Sequence, residues 1–225
     1  MGKRGPKPKY LVSTEWNSGL AYAVGLLASD GSLSCDGRHI DLTSIDMDQL
    51  ENFNKALGAK FNIGLKDRNS KSHSTAYRVQ ISSVLFYQFL ESIGFTKKKS
   101  LTIKKVDLPD KYFFDFLRGL FDGDGYSYSY WDKRWASSYM FYVGFCSGSV
   151  VFVEWLREMI SNFARIDGHI TKVKRKNFYY QLKYSKYEAV KLVSLMYKGR
   201  KVIKLNRKYL KVMKVLGTMK KLGEI

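Results

Sequence analysis

Two acidic residues sit in matching surroundings, and they are the first chemistry the chain offers. Asp30 lies near the end of LAYAVGLLASDG (20–31), and Asp124 near the end of FDFLRGLFDGDG (114–125). Aligned on their last glycine, the two segments share Gly25 with Gly119, Leu26 with Leu120 and Asp30 with Asp124. Each has small residues four apart, Gly25 with Ser29 and Gly119 with Gly123, which fall on one helical face. Such a face lets two helix backbones approach closely. If helices over 20–29 and 115–123 pair through Gly25 and Gly119, their C-terminal ends meet. Two carboxylates are then forced together beside the negative ends of two helix dipoles. That is unfavourable without a cation, and it suits Mg2+, which takes carboxylate, carbonyl and water oxygens. Gly31 and Gly125 follow each acid and are read as permitting a sharp exit into a strand.

The elements that must position these acids also repeat. Each segment is followed by alternating residues that predict strands over 32–44 and 126–147, then by helical patterns over 47–58 and 150–160. Further strands are predicted over 60–68 with 76–82, and over 169–175 with 178–184. Helices over 84–93 and 187–196 close the halves. The expected fold is α+β: two pseudo-symmetric αββαββα repeats, whose alternating strands put one face on helices and one in solvent. The chain divides into an arm over 1–15, a first repeat over 16–95, a linker over 96–109 and a second repeat over 110–225. The linker, TKKKSLTIKKVDLP, is rich in lysine and reads as exposed. Aligning SIGFTKKKSL (92–101) with SLMYKGRKVI (194–203) sets Lys99 opposite Lys201, with Lys198 and Arg200 as rivals.

Composition narrows the partner. Lys and Arg number 39 against 20 Asp and Glu, a formal charge of +19, and 16 tyrosines lie largely among the cations. Self-repulsion of this size calls for a polyanion, and interleaved aromatic and basic residues suit nucleic acid. The arm MGKRGPKPKY reads either as a loose tail or as a basic strand for the minor groove. The run over 198–211 contains no acid and reads as a helix along a phosphate backbone. Cys35 and Cys146 are the only cysteines, and His39, His73 and His169 show no ligand spacing, so a zinc site is not expected. The apolar run over 20–28 is shorter than the roughly 20 residues of a membrane span, and no secretory signal is visible. The expected location is intracellular, in cytoplasm or an organelle matrix.

GLLASDG and GLFDGDG together resemble the two copies of the motif that names the LAGLIDADG homing endonucleases, and the resemblance extends over nearly the whole chain after residue 15. Ala28 replaces the first Asp of the motif, and Ala23 stands where Leu is usual. The resemblance implies a DNA-binding saddle of antiparallel sheets in a monomer. It implies metal ligands at Asp30 and Asp124 and at the backbone carbonyls of Ser29 and Gly123, with Lys99 and Lys201 stabilising phosphate charge or orienting water. Mg2+ is the expected cofactor, Mn2+ a substitute, and Ca2+ an ion for binding only. The expected activity is hydrolysis of both strands of a long, asymmetric duplex.

Base and phosphate contacts are sought among outward strand residues. In the first half these are Ser32, Ser34, Arg38, His39, Asp41, Lys66, Arg68, Arg78 and Gln80. In the second they are Tyr126, Tyr128, Tyr130, Lys133, Arg134, Lys172, Lys174, Lys176, Tyr180 and Lys183. Arg favours guanine and Gln favours adenine by bidentate geometry. Three rival readings remain: an RNA maturase of the same family, which assists splicing without cutting DNA; a DNA-binding regulator of the same fold; and a calcium loop built on Asp122-Gly123-Asp124-Gly125. The last is rejected, because Lys133 occupies the twelfth loop position, where such loops need Glu.

Overall fold

Polar side chains start the helices where the sequence passes from loop to apolar periodicity. Asn17 Oδ1 accepts from the Leu20 N–H at 2.9 Å, Ser83 Oγ from Phe86 at 3.2 Å and Ser149 Oγ from Phe152 at 3.3 Å. Each satisfies one of the N–H groups that a helix start leaves open. A computed structural model of the chain describes residues 10–66, 75–97, 99–134, 138–174, 178–199 and 201–225. Most of the basic arm, together with Arg68, His73, Lys176 and Arg200, lies outside the described residues.

The first repeat runs α1 (Ser18–Asp30), β1 (Gly31–Leu33), β2 (His39–Ser44), α2 (Met47–Ala56), β3 (Ile63–Leu65), β4 (Tyr77–Ser82) and α3 (Val84–Ser92). A short α4 (Lys99–Thr102) and a 3-10 turn (Asp110–Tyr112) lead to the second repeat. That repeat runs α5 (Phe113–Asp124), β5 (Tyr126–Trp131), β6 (Tyr139–Ser147), α6 (Val150–Ala164), β7 (His169–Lys174), β8 (Phe178–Ser185) and α7 (Lys186–Met196). The order αββαββα occurs twice, as the sequence pattern predicts. Each repeat builds one four-stranded antiparallel sheet, ordered β1-β2-β4-β3 and β5-β6-β8-β7. One face of each sheet carries core residues, Ile40, Leu42, Val79 and Ile81 in the first and Phe141, Val143, Phe145 and Leu182 in the second. The alternate residues face away from the helices.

The centre of the molecule is the contact between α1 and α5. Tyr22, Leu26, Phe116 and Phe121 are buried there. An added Cβ at Gly25 would lie 2.1 Å from Phe116 O, and one at Gly119 would lie 2.0 Å from Tyr22 O. Only hydrogen fits at either position, so these glycines set how closely the helices approach.

Two segments pack otherwise than their composition suggests. The linker is not a free surface run, because Lys99, Ile103 and Val106 are buried and the Asp107 N–H donates to Ile93 O at 2.9 Å. The basic C-terminal run forms α8 (Asn206–Lys221), whose Val212, Val215 and Met219 are buried. This helix and the segment before it join the repeats: Arg207 Nε meets Asp46 Oδ2 at 2.5 Å, and Asn52 Nδ2 donates to Lys204 O at 2.8 Å.

Candidate metal and nucleic-acid site

The glycine contact brings the ends of α1 and α5 together and carries both acids with it. An added Cβ at Gly123 would lie 1.8 Å from Ser29 Oγ and 2.9 Å from Asp30 Oδ2. The exits into β1 and β5 do need Gly31 and Gly125, but for space. Their φ values of −79° and −70° suit any residue. A Cβ at Gly31 would lie 2.7 Å from Leu27 O, and one at Gly125 would lie 2.5 Å from Phe121 Cα. The expected conformational freedom is therefore corrected to a steric requirement.

The two acids sit in unequal surroundings. Asp30 is half-buried and Asp124 exposed. Burial and the charge of Asp124 raise the Asp30 carboxyl above its ordinary value, against a hydrogen bond from Gln49 and the charges of Lys99 and Lys208. Gln49 Nε2 donates to Asp30 Oδ2 at 2.6 Å, while its Oε1 accepts from Ser44 Oγ at 2.9 Å. Gln49 is 3% exposed, so it holds the Asp30 carboxylate in one orientation. The sequence reading missed it. Gln49 is the third residue of α2, and the third residue of α6 is Phe152, so the repeat offered no matching polar residue.

Two lysines reach the helix ends. Lys99 Nζ donates to Ala28 O at 2.9 Å and Ser29 O at 2.5 Å. Lys208 Nζ donates to Phe121 O at 2.7 Å and to Gly123 O and Gly125 O at 2.6 Å each. Burial lowers both ammonium groups to about 8. Lys201, expected opposite Lys99, does not come to this place. It is exposed and lines a cleft of about 380 Å³ with Ser18, Gly19, Asp115 and Arg118. That is the start of α1, about 17 Å of helix rise from Asp30. The residue that mirrors Lys99 is Lys208. It lies on α8, 12 residues past the end of α7, whereas Lys99 lies 7 residues past the end of α3, so alignment at equal spacing falls short of it.

Behind α5, Asp122 is fully buried. Tyr22 OH and the Leu205 N–H both donate to its Oδ2 at 2.7 Å, and its Oδ1 has no partner. Desolvation raises this carboxyl to about 6. Arg118 beside it spends its donors on Ile203 O, Met196 O and Asp115 Oδ1. This network locks the segment before α8 against the central helices, and so sets where Lys208 starts.

Strand register sorts the expected nucleic-acid contacts. On the first sheet, Ser32 pairs with Asp41, Asp41 with Gln80 and His39 with Ser82, while Arg78 pairs with Thr43. These residues, with Lys66 bonded through Nζ to Thr43 Oγ1 at 3.0 Å, share the face away from the core. Ser34 and Arg38 lie in the β1–β2 turn. On the second sheet, Tyr126, Tyr128 and Tyr130 pair with Gly144, Tyr142 and Met140 on the open face, and Gly144 also pairs with Lys183. Lys133 and Arg134 lie in the turn after β5, where Arg134 Nη2 meets Asp132 Oδ2 at 3.0 Å. Tyr180 and Lys172 do not share this face. They pair with each other and follow the parity of Leu182 and Ile170, so Tyr180 packs on the core. Lys174 pairs with Phe178 on the same side. Lys172 Nζ lies over the Phe178 ring at 4.2 Å, on the face opposite the tyrosines.

Two repeats, each with its own sheet, packed through a glycine-to-glycine helix contact that presents an acid from each, define a distinct class of fold. Comparison with known proteins gives it a name. The sequence profile of the LAGLIDADG-like domain matches residues 20–94. The I-LtrWI LAGLIDADG homing endonuclease bound to target DNA has a TM-score of 0.59 at 13% identity over 91% of each chain. I-DmoI in complex with DNA and Ca gives 0.56 at 15% identity, over 88% of this chain and 97% of that one. Full-length WhiA from Thermatoga maritima gives 0.53 at 13% identity over 91% of this chain, which spans 62% of that protein. A search of the curated proteins finds no match. The chain thus carries a LAGLIDADG-like domain in its first half, and as a whole it has the two-repeat fold of the LAGLIDADG homing endonucleases.

Proposed function

We propose that this chain is a site-specific endonuclease that hydrolyses one phosphodiester bond in each strand of a long, asymmetric DNA duplex. The fold does not decide the matter, since WhiA shares it. The observation that carries the reading is the pair of acids, Asp30 and Asp124, at abutting helix ends, with a lysine donating to the last carbonyls of each helix, Lys99 buried and Lys208 half-buried.

The donor set fits a hard divalent cation. Burial and the neighbouring Asp124 charge make Asp30 costly to ionise, and a cation relieves that cost. Among the described residues no group of three or more His, Cys, Asp or Glu forms. Coordination positions would therefore be left for water and phosphate oxygens, as Mg2+ prefers. Asp30 and Asp124 would hold the ion, with the second lone pairs of Ser29 O and Gly123 O within the donor set beside their lysine bonds. When bound, the metal supplies charge for the phosphate and an acidified water for the displacement. Gln49 fixes the orientation of the Asp30 carboxylate. Lys99 and Lys208 hold positive charge at Nζ where phosphate charge builds up. The polar open faces of the two sheets bind and read the duplex.

The test is a supercoiled plasmid carrying a selected target, incubated with Mg2+, or with Ca2+ for binding alone. Asp30→Asn and Asp124→Asn should bind the target like the parent and make little or no linear product. If either variant yields linear DNA at the parent rate, that carboxylate is structural. If the parent binds DNA in Mg2+ and never cuts, the endonuclease reading falls in favour of a binding function.

A further inference from the structure

The open face of the second sheet differs in kind from that of the first. Tyr126, Tyr128 and Tyr130 stand in a row along β5, with adjacent ring centroids 6.2 Å apart and planes within 13° of parallel. Tyr142 on the neighbouring strand joins the row, 4.8 Å from Tyr128. Gly144 makes room for Tyr126, since a Cβ there would lie 2.5 Å from its ring. The matching face of the first sheet holds Asp41, Arg78 and Gln80 instead.

Stacking limits what these rings can do. Each inner ring has its faces turned to its neighbours. A base entering between two rungs would need about 3.4 Å on each side, slightly more than the 6.2 Å spacing provides. The row therefore presents ring edges and hydroxyls, with Tyr128 and Tyr130 37% and 45% exposed. A tyrosine hydroxyl both donates and accepts, so it cannot tell an acceptor edge from a donor edge. A row of ring edges can discriminate an apolar knob. In the major groove the only one is the thymine C5-methyl group. The rung spacing is close to two base steps of about 3.4 Å, so successive tyrosines address alternate base pairs.

We propose that the second sheet reads its half of the DNA target through thymine methyl groups lodged against the edges of Tyr128, Tyr130 and Tyr142, while the first sheet reads donors and acceptors. This rests on the duplex-binding reading above and does not require cleavage.

The experiment selects tight-binding duplexes from a random pool in Ca2+. Gln80→Ala then identifies the half that faces the first sheet, by the positions whose preference relaxes. The other half should be rich in thymine. Replacing its thymines by deoxyuridine, which removes only the methyl, should weaken binding about four-fold for each methyl contacted, the size expected for one buried CH2-sized group. The same replacement in the first-sheet half should change affinity by less than about two-fold. Tyr130→Ser should abolish the response to deoxyuridine at the thymine that Tyr130 contacts and leave it at the others, and Tyr130→Phe, which keeps the ring, should preserve it at every position. Thermal melting of both variants confirms that they fold. A second half without thymine, or one that binds equally well with deoxyuridine, overturns the inference and leaves duplex recognition standing. If no duplex is enriched at all, the DNA reading itself falls, and this inference with it.

Discussion

Burial sets the protonation of the groups behind the paired helix ends, and it does so differently for acid and base. Asp122 is raised to about 6 because it is fully buried with one oxygen unpartnered. A folded-state value above the unfolded one means the native protein binds more protons between about 3.8 and 6. The stability this group contributes is thus complete below that window and lost as pH rises through it. Asp122→Asn keeps an oxygen for Tyr22 OH and the Leu205 N–H and cannot ionise. Relative to the parent, it should gain on the order of 3 kcal/mol between pH 4 and pH 7.5, read by denaturant unfolding at both pH values. A constant difference would mean that Asp122 is ionised throughout. Lys208 gives a second expectation. Lys208→Met should slow cleavage by roughly 100-fold with little change in target affinity if, as proposed, its charge stabilises the developing phosphate charge. Lys201→Ala, at the far end of α1, should leave the cleavage rate near the parent's. Single-turnover rates on the selected target decide between the two, and a slow Lys201→Ala with a normal Lys208→Met would reverse the assignment. At this scale the acids were legible because type and spacing recur. Lys208 and Gln49 were not: Lys208 mirrors Lys99 only across a longer connection from the preceding helix, and Gln49 has Phe152 in its place in the other repeat.

Between elements, the approach of α1 to α5 is the contact on which the site depends. Gly25→Ala would drive a Cβ to 2.1 Å from Phe116 O and 2.7 Å from Leu120 N, both backbone atoms that cannot swing aside. The helices must part, and with them Asp30 and Asp124. The expected cost is about 3 kcal/mol or more, together with loss of cleavage in whatever protein remains folded. Gly217 supplies the opposite sign. It lies inside α8, is exposed, and would meet nothing within 4 Å on gaining a Cβ. Gly217→Ala should stabilise the chain by about 1 kcal/mol through helix propensity alone. Melting curves of the two variants should move in opposite directions. A neutral Gly25→Ala would show that the helices can slide without harm. Helix pairing and element order were readable because periodicity and small residues report packing directly. The faces of β7 were not. As an edge strand it carries Lys172 and Lys174 on the core-side parity near a border open to solvent, so charge did not mark the outward face.

Taken whole, the molecule has two halves alike in fold and unlike in surface. On the proposed endonuclease reading the two acids of one chain would serve both cuts, and light scattering should then find one chain per target. A polar sheet beside an aromatic one implies a target whose halves differ, which a selected consensus reports directly; a palindrome would contradict it. The net charge of +19 sets the last expectation. Not all of it is available along the phosphate backbone: Lys99 and Lys208 are held at the two acids, Lys211 donates to Ser127 O, and Arg118, Arg134 and Arg207 are paired with acids. Many cations remain exposed, among them Lys97, Lys104, Lys105 and those of α8 that face solvent. A duplex long enough to cross both sheets would meet about six to ten of them. Each neutralised phosphate contributes about −0.9 to the slope of log affinity against log salt, so binding should weaken by about 10³- to 10⁵-fold between 50 and 200 mM salt. Specific and random duplexes should share most of this slope, because it comes from the backbone, whereas the gap between them comes from base contacts and should persist. Titration of both duplexes by fluorescence anisotropy at several salt concentrations measures the two together. A slope nearer −2 would mean that the exposed cations serve solubility, and that recognition rests on the sheet faces with little help from phosphate.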